Sequence, residues 1–204
     1  MKVELVGWTT DAEHKIAQFA KETRKRTVQK IEDNYPQETV EKDRDFIRRR
    51  INDAHFGILE HAYFTFRIQG ISRVLSHQLV RHRLASFLQM NSRYVMPGKE
   101  NYVTPATIIK NGCRKPYNDY MEKAYAVYTH LHDAGVPLED ARYALPPAFF
   151  THITMTCNAR ELRHIISVRL DPAAQWEIKE LVNRIIDIVR EKFPTLVEDI
   201  ENVI

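Results

Sequence analysis

Six apolar residues near the C-terminus, Ile178, Leu181, Val182, Ile185, Ile186 and Val189, recur at intervals of three and four. This is the stripe of an amphipathic helix with one face buried. The spacing elsewhere is that of strands. Lys2 to Trp8 reads as a short strand, and Ala62 to Ile68 is an aromatic and β-branched run that Gly70 is expected to end. Thr10 and Glu13 form a capping-box pattern before a helix carrying Ile16, Phe19 and Ala20. A charged helix is expected over Gln37 to Asn52, solvated on one face, and another from Ile71 to Arg83. Arg93 to Val95 reads as extended, and Asn111 to Pro116 as a polar loop before a helix from Tyr117 to Ala134. Ala148 to Cys157 fits a strand or a buried helix. Ala159 to Leu170 is helical, and Asp171-Pro172 is the expected start of the last helix. Trp176 lies off that helix's stripe and suits packing against another element or subunit, while Ser86 and Met90 read as packing positions. With neither repeat nor linker, the pattern indicates a single α+β domain over residues 1–204.

No apolar run approaches the ~20 residues of a membrane span, and no signal-peptide core follows Met1. The two cysteines, Cys113 and Cys157, suggest no disulfide framework and fit a reducing cytosol. Lys and Arg number 30 against 27 Asp and Glu, a net charge of +3 that is too small for a surface devoted to nucleic acid or membrane.

The arginines are informative by position. Arg81, His82 and Arg83 are consecutive, and consecutive helical residues point about 100° apart. They serve one extended anion only where a helix ends. A second cluster has Arg160 and His164 on one helix face, Asn158 as a candidate cap, and Arg169 at the far end, with Arg142 before an apolar Tyr143-Ala144-Leu145-Pro146-Pro147 segment. Arginines among apolar residues need anionic partners, since a buried unpaired guanidinium is costly. For Arg163 the partner could be internal, Glu161 or Glu177. His132-Asp133 admits a metal-dependent phosphohydrolase, although it lies beside the helix-ending Gly135. Arg81 to Tyr94 admits an RNA-binding patch, although no recognisable RNA-binding motif is present.

These residues resemble a known family. Arg81-His82-Arg83, then Gln89, Arg93 and Tyr94, are similar to the signature of the flavin-dependent thymidylate synthases, Arg-His-Arg, seven residues, Ser, then x-Arg-Tyr. His55, Glu60-His61, Phe64-Thr65-Phe66, Arg142 with Leu145-Pro146, Leu162 to Arg169 and Ala174 to Ile178 follow the family in order, from about residue 50 to 180.

The resemblance implies a mainly antiparallel sheet packed by several helices, and a homotetramer with shared active sites. It implies methylation of dUMP to dTMP with FAD, NADPH and 5,10-methylenetetrahydrofolate, and no metal. It places Gln78, Leu79, Val80, Arg81, Gln89, Met90, Asn91, Ser92, Arg93, Arg142 and Arg169 at dUMP. It places Gly57, Arg81, His82, Arg83, Gln89, Asn158, Ala159, Arg160 and His164 at FAD, and His55 near flavin and folate. Arg169 matches the arginine thought to favour ionisation of the uracil at N3, and is the expected catalytic group. Gly57 stands where the family often has a small hydroxyl residue.

Asn91 falls at the position of the family serine, once proposed as a nucleophile, and Ser92 one place later. An amide cannot act as that nucleophile, although it can still hydrogen-bond dUMP. Either Ser92 reaches in through a local shift or no enzyme nucleophile is needed; the second is the favoured reading, with direct hydride transfer to an ionised uracil. The chain has no glycine-rich dinucleotide loop, so side chains must hold the flavin.

Overall fold

The computed structural model of the chain describes residues 1–27, 31 and 35–200. Its elements run β1 Lys2–Trp8, α1 Ala12–Glu22, α2 Gln37–Asn52, β2 Tyr63–Ser72, α3 Arg73–Leu79, β3 Ser86–Gln89, α4 Ala106–Lys110, α5 Arg114–Asp133, α6 Leu138–Ala141, β4 Phe150–Asn158, α7 Ala159–Arg169 and α8 Trp176–Lys192. The strands form a mainly antiparallel sheet in the order β1-β2-β4-β3. The expected α+β class holds, and the segment left between strand and buried helix is β4. Its alternating burial is the period of two that a half-covered strand requires.

The chain divides into two compact units, one of Met1–Lys2, Ile68–Arg81 and Phe87–Thr154, the other of Val3–Arg67, His82–Ser86 and Met155–Ile204. In the first, α5 buries Met121 and Tyr128, and Tyr125 packs against Phe149. The backbone N–H of Arg73 donates to the Pro147 carbonyl at 2.9 Å, fixing the start of α3 beside the segment that follows Arg142.

The second unit holds the helical stripe. Ile178, Leu181, Val182, Ile185, Ile186 and Val189 are all fully buried, with α8 packed on α7. Helix α1 packs on α2. Asp43 of α2 is a buried carboxylate that accepts from His14, Lys21 and Gln18. Among the described residues no helix is long and apolar enough to cross a membrane.

Several local expectations fail for identifiable reasons. The Thr10–Glu13 capping box does not form, because the chain enters α1 through Asp11 in the left-handed region at φ 50°. Glu13 turns inward and accepts from Arg44 Nε and the Thr195 N–H, each at 2.9 Å. Gly70 does not end β2. It adopts φ +65° within the strand, which runs on to Ser72, the residue whose hydroxyl caps α3 by accepting from the Leu75 N–H.

Helix α3 stops at Leu79 rather than Arg83. Arg93 to Val95 is not extended, since both Tyr94 and Val95 donate their N–H back to the Asn91 carbonyl. Arg114 starts α5 inside the expected loop, with Pro116 accommodated in its first turn. Asp171 does not start α8. Its carboxylate closes a local turn by accepting from the Ala173 N–H, and Gln175 caps the helix by accepting from Glu177 and Ile178. Ser86 is exposed rather than packed.

Candidate active site

The end of α3 before Arg81 leaves the Arg81-His82-Arg83 signature outside a helix, with its side chains released from the 100° spacing. Arg81 and Arg83 are exposed and His82 is buried. Leu79 is wholly buried, so its side chain acts as core, while Val80 sits at the helix end. Gln78 is half-buried.

In the first unit a cavity of about 470 Å³ is lined by Arg73, His77, Met90, Ser92, Arg142 and Tyr143, among others. Gln89 is anchored by donating to Ser76 Oγ at 2.9 Å and Thr151 Oγ1 at 3.2 Å, and the Met90 N–H donates to the His152 carbonyl. The chain then turns at Asn91, whose side-chain oxygen accepts from the Arg93 N–H at 3.0 Å. That turn leaves Asn91 exposed and carries Ser92 inward. Arg142 Nη1 donates to Ser92 Oγ at 3.1 Å, while its Nε donates to the Glu139 carbonyl. Arg93, expected at the nucleotide, pairs with the Glu139 carboxylate at 2.8 Å with both side chains half-exposed.

Arg73 and His77 were not singled out by sequence. Their i,i+4 spacing on one helix face was the available signal, masked by the apolar Ile71, Val74, Leu75 and Leu79 around them. Burial, and then the nearby Arg142, lower the pKa of the Arg73 guanidinium. Two cations share this cavity, and among the described residues no carboxylate lines it.

The second unit holds the other cluster. Asn158 caps α7 as expected, accepting from the Glu161 N–H at 2.8 Å, and Ala159 is buried behind it. A cavity of about 590 Å³ is lined by Phe56, Arg160, Arg163, His164, Ser167 and Asp199, among others. Arg160 pairs with Glu60 at the surface. Arg163 is satisfied internally, as a bidentate pair with Asp199 at 2.7 and 2.6 Å and by donation to the Leu196 carbonyl. Its partner is therefore Asp199, brought in by chain folding, rather than Glu161 or Glu177.

His55 and Gly57 line a different, apolar cleft of about 390 Å³ with Ile16, Phe19, Ile58 and His61. His61 is an exposed rim residue, edge-on to Phe19. A Cβ on Gly57 would meet nothing within 4 Å, so a small hydroxyl residue would fit there.

Arg169 ends α7, and its Nε donates to His82 Nε2 at 2.9 Å. The His82 ring stands edge-on to His164, with centroids 5.8 Å apart, and its Nδ1 is 3.8 Å from Glu161 Oε1. Burial, then Arg169 and His164, push the His82 pKa down to about 4. Burial lowers the pKa of Arg169 and raises that of Glu161.

Cys157, one residue before the cap of α7, is buried, and its thiol is pushed up to about 12, whereas Cys113 is exposed. The rival His132-Asp133 pair is exposed near the end of α5, and among the described residues no three potential metal-ligating side chains gather.

The family model for the thymidylate synthase complementing protein matches residues 4–195. Flavin-dependent thymidylate synthases of Sulfolobus acidocaldarius and Sulfurisphaera tokodaii are 40% and 41% identical to the chain over 199 and 200 residues. Each alignment covers 96% of this chain, and 75% and 76% of the relatives' own lengths. A solved structure of the UMP/dUMP methylase PolB from Streptomyces cacaoi, bound with 5-Br dUMP, matches with a TM-score of 0.83. That match covers 97% of this chain and 93% of the other at 23% identity, which is a likeness of fold.

Proposed function

The chain belongs to the thymidylate synthase complementing protein family, and from that premise we propose that it is a flavin-dependent thymidylate synthase, a single catalytic domain that methylates dUMP to dTMP. The proposed flavin is FAD, the carbon donor 5,10-methylenetetrahydrofolate and the reductant NADPH. The proposed setting is a cytoplasmic homotetramer whose subunits share active sites.

The main support is the cavity of the first unit, where Arg73 and Arg142 meet without a lining carboxylate. Two half-buried guanidiniums suit a phosphate dianion, because charge-assisted bonds from a planar fork restore what burial removes. Arg142 would hold the dUMP phosphate or sugar together with Ser92, which it already contacts. Gln78 to Arg81 and Gln89 to Arg93 are the other residues proposed at this ligand. Arg93 and Asn91 would contribute after leaving their present partners, Glu139 and the turn backbone.

The second unit fits an extended flavin nucleotide on two counts. Its cavity of about 590 Å³ lies in the usual size range of cofactor sites. Arg160 reaches it with a guanidinium paired at the surface with the Glu60 carboxylate, which a diphosphate can displace. Arg160 and His164, with Asn158 and Ala159 at the head of α7 and His82 and Arg83 from the signature, are the residues proposed to hold FAD. His55 and Gly57 would face the flavin and folate from the apolar cleft. FAD, when bound, supplies the redox step. Arg169 is the proposed catalytic group, stabilising negative charge that develops on the uracil ring.

A serine nucleophile is not required on this reading. Separate Asn91→Ala and Ser92→Ala variants test that, with dUMP-dependent oxidation of reduced flavin as the readout. Loss of Ser92 is expected to raise the KM for dUMP about 5–10-fold, the worth of one neutral hydrogen bond, with turnover at saturation retained. Turnover abolished in the Ser92 variant alone would restore the nucleophile.

The function itself is tested by the visible spectrum of the purified protein, followed by dUMP-dependent NADPH oxidation. The expected result is a flavin spectrum and oxidation that requires dUMP. A protein that neither carries nor takes up flavin overturns the proposal.

A further inference from the structure

The structure assigns His82 and Glu161 as positioning residues for Arg169, through a buried line of side chains that fixes the guanidinium by its Nε. The inference rests on the proposed role of Arg169 at the uracil, and concerns what aims that group.

Arg169 Nε donates to His82 Nε2 at 2.9 Å. Nε and both Nη atoms are coplanar, so holding Nε–H fixes the plane of the whole fork. Nε2 can accept only as a lone pair, which puts the imidazole proton on Nδ1. Nδ1 is the nitrogen that faces Glu161, at 3.8 Å. That distance exceeds a hydrogen bond, but the carboxylate still favours the proton on the ring atom nearest it. Glu161 is itself buried and takes part in the α7 cap through its N–H.

The other charged neighbours act against an imidazolium. Arg169 faces the ring from one side and His164 stands edge-on to it, so protonation would set a second positive charge directly against the Arg169 guanidinium. The depressed His82 pKa agrees with this.

This gives the middle residue of Arg81-His82-Arg83 a reason to differ in kind from its neighbours. Arginine and lysine donate only. Among common cationic side chains, histidine alone can be neutral and accept from an arginine. The two flanking arginines are exposed and turned to other work, while His82 points inward to α7.

Two measurements on the flavin-loaded enzyme test the line. Nitrogen-15 NMR of labelled histidine at neutral pH is expected to show His82 neutral with its proton on Nδ1. A proton on Nε2, or an imidazolium, would overturn the inference.

The second measurement is a double-mutant cycle of His82→Phe with Arg169→Ala, read as the rate at which pre-reduced enzyme is oxidised by dUMP and methylenetetrahydrofolate. His82→Phe keeps ring volume and removes the acceptor, and is expected to slow this step on the order of 100-fold, the cost of a misaimed catalytic group. His82→Gln, which returns a carbonyl acceptor, is expected to recover about tenfold of that loss. Adding His82→Phe to Arg169→Ala is expected to cost less than about twofold more, since both act through one guanidinium. Losses that multiply would show that His82 acts independently, and would overturn the positioning role while leaving the proposed function intact. An Arg169→Ala variant with normal rates would remove the role of Arg169 and the line with it, and is recognisable from that single variant. Should His82→Phe not fold, Glu161→Ala takes its place in the cycle, with an expected loss of about 3–10-fold for an electrostatic aid at this distance, and additivity again overturns it.

Discussion

Replacing Arg169 by alanine is expected to slow dUMP-dependent oxidation of the reduced flavin on the order of 10²–10³-fold, the usual cost of removing one preorganised donor at a developing oxyanion. Flavin content is expected to be retained, because Arg160 and His164 line the proposed flavin cavity and Arg169 does not. The size of the effect follows from preorganisation. The guanidinium is half-buried, held at Nε, and its neighbour His82 is kept neutral, so its positive charge is not diluted by a competing cation. Arg169→Lys is expected to be nearly as slow, since a point charge on a flexible stem cannot make the Nε bond and present a planar fork together. Stopped-flow absorbance of the flavin band at saturating dUMP gives the number. A loss smaller than tenfold would place the activation of uracil elsewhere.

The largest stability effect is expected far from that chemistry, at Asp43. Its carboxylate is wholly buried and accepts from His14, Lys21 and Gln18, joining α1 to α2. Asp43→Ala leaves two basic groups facing a cavity with no acceptor, and breaking a buried pair from one side costs about 3–5 kcal/mol. For a chain of this length that corresponds to a fall in Tm of roughly 6–20 °C. Denaturant unfolding of the two proteins measures it, and a difference under about 1 kcal/mol would show that the cluster contributes little net stability. The stacking of Tyr35 on His14, with ring centroids 3.7 Å apart, closes one side of the same cluster.

What the chain disclosed in advance follows a physical pattern. The bounds of β1 and α2 agree with the sequence reading. The α8 stripe is buried as read. Helices α4 and α6 and strand β3 run for only four or five residues, too short for any period to declare itself.

The misplaced details share a cause. Glu13 and Asp171 carry good helix-start chemistry, but each is drawn to a partner that the linear pattern does not show, Arg44 and Thr195 in one case and a local turn in the other. Asp43 sits in a helix expected to be solvated on its charged face, and its burial depends on α1 arriving with three donors.

For the candidate site, both basic clusters were legible, and the structure divides the second, with Arg142 lining a cavity of the first unit and Arg160 and His164 lining one of the second. Arg73 was hidden by its apolar helix. The exchange between Asn91 and Ser92 could not be read from spacing alone, because it is decided by which side of one turn faces inward.

The contrast between the two thiols has a practical side. Cys157 is sealed in and protonated at any ordinary pH, so alkylating reagents and mild oxidants will pass it by. Cys113 stands exposed at the head of α5. A maleimide dye would therefore attach at one address per chain without any engineered change, giving a site-specific fluorescent reporter from the natural sequence.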